Sequence, residues 1–96
     1  MKMVVIVYGE AADETMTKAF KENGFGSYTK MHGATGEGSE TEPRLGTHYW
    51  PGRNNTLMMA VADEDIPRLM DLVRKLKADH PRSGLRAFTF PLEECL

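Results

Sequence analysis

The sequence predicts an α+β fold in the order βαββαβ, and three observations predict it. Apolar runs of strand length occur at residues 3–8, 56–62 and 85–90, each closed by a turn-forming or polar residue. Amphipathic stretches with helical spacing follow the first and third strands. Between the two halves, residues 33–55 show no hydrophobic period at all. A structureless insert of that length is uncommon in a compact domain and is usually a binding loop, a lid or a linker.

The elements follow in order. Met3, Val4, Val5, Ile6, Val7 and Tyr8 form an apolar, largely β-branched run suited to a strand buried on both faces, and Gly9 ends it. Asp13 or a neighbour caps a helix whose apolar side is Ala12, Met16, Ala19 and Phe20, with Asn23 and Gly24 as its stop. Residues 25–32 alternate loosely, Phe25, Ser27, Thr29 and Met31 against Tyr28, as a second strand. After the insert, residues 56–62 form a third strand, and Asp63, Glu64 and Asp65 bring acids to a helix N-terminus, where the dipole favours them. Pro67 fits a first helical turn and selects Asp65 over Asp63 as the cap. Ile66, Leu69, Met70, Val73 and Leu76 then make a stripe facing a sheet, while Arg68, Asp71, Arg74 and Lys75 face water. Residues 80–84 break the chain, and residues 85–90 form a fourth strand that Pro91 ends. This is the split βαβ order of the ferredoxin-like superfold, with a four-stranded antiparallel sheet and both helices on one face. The other face needs a cover, because Val5, Val7, Leu57 and Met59 would otherwise lie exposed. An oligomer is expected.

Bulk properties narrow the function. Ninety-six residues make one domain, spanning 1–96, near the size where a single core is adequate without cross-links. Twelve basic against fourteen acidic residues leave a formal charge of −2 and no basic stripe, which argues against nucleic acid as a partner. The apolar start is too short for a signal sequence or a membrane span, so the chain is expected in the cytoplasm and not inserted in a bilayer. The single cysteine, Cys95, forms no internal disulfide and sits where an inert role fits better than a catalytic one. No nucleophile stands beside a base and an acid in a local motif, so no enzyme is predicted. A small isomerase or monooxygenase working through His32 or His48 is the enzymatic alternative.

Particular segments resemble a family. The run Val61, Ala62, Asp63, Glu64, Asp65, Ile66 and the helix after it look like the third strand and second helix of the P-II signalling proteins. The ending Arg86, Ala87, Phe88, Thr89, Phe90, Pro91, Leu92, Glu93, Glu94 is similar to their fourth strand. Residues 1–7 and 22–38 fit the family's first strand and the Gly-rich entry to its long T-loop, here the insert at about 33–55. The segment Gly46, Thr47, His48, Tyr49, Trp50, Pro51, Gly52 resembles that of short P-II-like proteins associated with heavy-metal efflux pumps. Tyr49 to Gly52 together with His80 and Pro81 also resemble the CutA proteins, which makes a metal-binding trimer without a signalling partner the alternative. Both groups share this fold and a trimeric assembly.

The resemblance implies a regulatory homotrimer that binds a small effector, an adenine nucleotide or a divalent transition metal, in the clefts between subunits and acts on a partner such as a membrane transporter. Only Arg82, Ser83, Gly84 and Arg86 remain of the family's phosphate cradle, and no arginine-rich C-terminal segment follows them. Gly36 and Gly38, with Gly33, give a tight turn and offer backbone amides to an anion. For a metal, His48 would have to meet His32, with Glu37, Glu40, Glu42 or Cys95 completing the shell, since one imidazole is not a site. The plainer alternative has His48 packed beside Trp50 or solvated, and His80 as a turn residue. Trp50 either stacks on a base or cation or seals a neighbouring subunit's groove. Met58, Met59 and Met70 read as core residues.

Overall fold

Alternation along the first strand, β1 (Lys2–Gly9), decides which side of the sheet is which: Val4, Ile6 and Tyr8 are fully buried, whereas Met3, Val5 and Val7 are only half covered. The structure is a computed structural model and describes residues 1–37, 43–46 and 52–96. After β1 come a 3-10 turn (Glu10–Ala12), helix α1 (Asp13–Glu22), β2 (Thr29–Ala34), β3 (Asn54–Val61), a second 3-10 turn (Asp63–Asp65), α2 (Ile66–Asp79) and β4 (Arg86–Pro91). The strands form one antiparallel sheet in the order β2-β3-β1-β4, with β3 and β4 flanking β1. This is the ferredoxin-like βαββαβ arrangement.

The core lies between the helices and one face of the sheet. Val4, Ile6 and Tyr8 of β1 and Leu57, Met59 and Val61 of β3 meet Met16 and Phe20 of α1 and Leu69, Val73 and Leu76 of α2. The stripe expected on α2 is confirmed at those three positions and at Ile66, which packs against the core. Leu72 joins it, while Met70 is only partly covered. Leu57 and Met59 correct the expected open face, since they point to the helices at 0% and 3% exposure. In a continuous apolar run the sequence does not reveal which parity faces in. The residues on the other face are Met3, Val5, Val7 and Met58, with Phe88 and Phe90 of β4 and Met31 of β2 exposed beside them.

Strand and cap boundaries also move. Strand two was expected over 25–32 but runs Thr29–Ala34, because Phe25 does not alternate into the sheet. It is buried behind α1, donates its N–H to the Phe20 carbonyl at 2.7 Å and carries the Arg68 guanidinium over its ring at 4.3 Å. Gly24 just before it takes φ +84°, the left-handed conformation that lets the chain leave α1. Asp13 opens α1 without capping it, its carboxylate being engaged elsewhere. Asp65 holds the cap position of α2 with no capping hydrogen bond, and its carboxylate sits 3.7 Å from Arg68. β3 starts at Asn54 and β4 reaches Pro91, so the sheet extends further toward the insert, and into Pro91, than the sequence suggests.

Candidate functional site

At one end of the sheet β1, the insert and the α2–β4 turn converge. The β1 strand terminates at Gly9, whose N–H donates to the Ser83 carbonyl at 2.7 Å, and the next amide, Glu10 N–H, donates to the Arg53 carbonyl at 2.8 Å. The α2–β4 turn is held by Ser83 N–H to the His80 carbonyl at 3.0 Å and by Leu85 N–H to the Ser83 hydroxyl at 3.3 Å. Lys77 closes it from the helix, donating to the Leu85 carbonyl at 2.8 Å. On the other side, the two arms of the insert are bridged by Gly36 and Arg44, which exchange two backbone hydrogen bonds of 2.7 Å.

These segments line a cleft of about 570 Å³. Its wall includes Thr15, Arg53 and the 3-10 turn, while Arg44, Arg82 and His80 bring basic side chains from the insert and the α2–β4 turn, with Glu10 the opposing acid. Arg44 and Arg82 bring positive charge to the cleft from the insert and from the α2–β4 turn, whereas the Arg53 guanidinium packs beside Gly33 and Gly46.

The expected site residues divide. Arg82 and Ser83 line the cleft and Gly84 adjoins it with φ +68°, while Gly36 sits at the bridge that closes the foot of the insert. Arg86 is placed apart from them: it pairs with Val7 of β1, and its neighbour Ala87 packs against the core, so Arg86 projects from the opposite face beside Phe88. His32 is exposed on β2, where the register with β3 shifts between Met31 and Ala34. Gly38, His48 and Trp50 lie outside the described residues, as do Glu40 and Glu42, so the meeting of His32 with His48 does too. Among the described residues no three metal-ligating side chains cluster. The basic residues that sequence reasoning missed are Arg44 and Arg53. Their only signal was position, Arg44 two residues before Gly46 in the middle of the aperiodic stretch and Arg53 beside Gly52 near its end.

A second polar group lies under the site, between β1, α1, β2 and β3. The Tyr8 hydroxyl donates to Asp13 Oδ1 at 2.6 Å, and Lys30 of β2 pairs with Asp13 Oδ2 at 2.9 Å. Burial by itself would raise the Asp13 pKa, but the hydrogen bonds from Lys30, Tyr8 and Asn55 outweigh it and hold the carboxyl at about 2. Burial first and then Asp13 push the Tyr8 phenol well above its ordinary range, so it stays a neutral donor. Because a carboxylate only accepts, Asn55 must present its amide N–H₂ to Asp13, and among the described residues its buried Oδ1 has no partner.

A sequence model of one family, described as nitrogen regulatory protein P-II, matches residues 1–96. The chain belongs to the P-II family. A search of curated proteins found no match. Members of the P-II family are regulatory signalling proteins rather than enzymes and are typically trimeric, and this chain is a P-II-like regulatory protein. Among the described residues no helix is long and apolar enough to cross a membrane.

Proposed function

We propose that this P-II protein is a cytoplasmic homotrimer, each chain one domain over 1–96, that senses a phosphate-bearing small molecule of the adenine nucleotide class. The observation that supports the reading is the cleft beside the insert, lined by Arg44 of the insert and Arg82 of the α2–β4 turn. The insert at about 33–55 serves as the T-loop-like element that meets the partner, for which the resemblance of residues 46–52 supports a metal transporter. Ligand binding regulates only if the two arrangements of the insert differ in affinity for the effector, so that occupancy selects one. A phosphate held between Arg44 of the insert and Arg82 of the α2–β4 turn would meet this requirement, because it touches both segments.

The site set under test is Gly36, Gly38, His48, Trp50, Arg82, Ser83, Gly84 and Arg86, with His48 and His32 as the metal alternative. A ligand that binds only the folded chain raises its stability. A thermal-shift panel of AMP, ADP, ATP and divalent Cu, Zn, Ni and Co is therefore the deciding measurement. Nucleotides are expected to raise the melting temperature of the wild type, and Arg82→Ala to remove most of that rise. A shift produced by metals alone and lost in His48→Ala would replace this reading with that of a CutA-like metal-binding trimer.

A further inference from the structure

Arg44 does more than line the cleft. Its backbone is fixed by the bridge to Gly36, and its side chain crosses to the other wall, where the guanidinium donates to the Arg82 carbonyl at 3.0 Å. It lies in a slot that exists because side chains are missing. A methyl group on Gly9 would come within 2.6 Å of Arg44 Nε, and one on Gly84 would collide with Arg44 Nη1. Gly52 forms the remaining side, 3.3 Å from Arg44 Cγ. One cation thus touches the end of β1, the far arm of the insert and the α2–β4 turn.

We propose that Arg44 is a latch that fastens the foot of the insert to the α2–β4 turn, and that an anion entering the cleft releases it. In the latched arrangement the guanidinium donates to a neutral carbonyl. The guanidinium is charged in both arrangements, but a phosphate adds opposite charge and can take two parallel N–H···O bonds from the fork, where the carbonyl offers only a dipole. The exchange of partners moves Arg44 out of the slot, and the Gly36–Arg44 bridge loosens with it. The release rests on the effector reading above, whereas the latch does not.

The slot supplies its own test. Gly9 has φ −64° and ψ 138°, a conformation open to any residue, and the nearest atoms to an added methyl all belong to the flexible end of Arg44. Gly9→Ala therefore evicts the guanidinium without straining the backbone. Amide exchange at positions 36 and 44 is measured without ligand in the full-length wild type, Gly9→Ala and Arg44→Ala, with the β1 and β3 amides as the control for an intact fold. Both variants are expected to exchange at least about tenfold faster at 36 and 44, as the loss of a charged hydrogen bond implies. Wild-type protection at those two amides in both variants overturns the latch.

Inorganic pyrophosphate then tests release. It is expected to speed exchange at 36 and 44 in the wild type and to leave the already fast Gly9→Ala unchanged. Pyrophosphate that binds by calorimetry yet leaves wild-type exchange unaltered overturns the release. Failure of pyrophosphate to bind overturns the release together with the effector reading, and the ligand-free comparison still decides the latch.

Discussion

At the scale of single residues, the polar group under the site sets both stability and its acid dependence. Tyr8 is buried and its hydroxyl spends its proton on a carboxylate, so Tyr8→Phe is expected to cost about 1.5–3 kcal/mol, the usual worth of a hydrogen bond to a charged group. Urea unfolding at neutral pH checks this. Asp13 has a folded pKa of about 2 against an ordinary value of 3.8, so its contribution is fully present above about pH 4 and disappears as pH falls through 2. Asp13→Asn should therefore lose stability at neutral pH and show a shallower fall between pH 4 and 2 than the wild type. Equal slopes in that window would mean that Lys30 and Tyr8 do not hold the anion. None of this was legible beforehand. Asp13 meets Lys30 across the gap between two elements, and its expected role as a helix cap was the local alternative that the tertiary pairing displaced.

At the scale of elements, periodicity was read correctly on the helices, where one face alone is buried. The stripe of α2 lies against the sheet as spaced, and Leu69, fully buried at its centre, gives the test. Leu69→Ala is expected to lower unfolding free energy by about 2–5 kcal/mol by removing buried methyls and leaving a cavity. A loss below 1 kcal/mol would mean that α2 is not packed as described. The strands were less legible. β1 and β3 are apolar at both parities, so their existence was clear and the inward side of β3 was not. β2 was displaced because Phe25, which reads as its first residue, instead closes the turn behind α1. The cleft was half legible. Gly84 and Arg82 stand out in the α2–β4 turn, whereas Arg44 and Arg53 sit in a stretch without period, where sequence gives no direction to a side chain.

For the whole molecule, the open face of the sheet is the dominant feature. Phe88 and Phe90 are 53% and 46% exposed in the single chain, and Val5, Val7 and Met58 lie beside them on the same face. A patch of that kind is expected to be covered on assembly, and the P-II family is typically trimeric. Light scattering is expected to give about three times the chain mass of 10.8 kDa. Phe88→Glu, which sets a charge in the patch without touching the helix-side core, should shift the mass toward one chain while far-ultraviolet circular dichroism is kept. A wild-type monomer at micromolar concentration would remove the assembly and any site shared between subunits.

The paired backbone of Gly36 and Arg44 also bears on how such a protein diversifies. Once the two arms of an excursion are joined at the neck, the rest of the fold no longer registers how much chain lies beyond it. Doubling a flexible span closed in this way costs only about 0.6 kcal/mol in closure entropy. A change of chain length between Gly36 and Arg44 is therefore expected to leave the sheet, the helices and the cleft in place. New partner specificity can be written there without renegotiating the scaffold, and the same neck marks where a foreign recognition segment is best grafted.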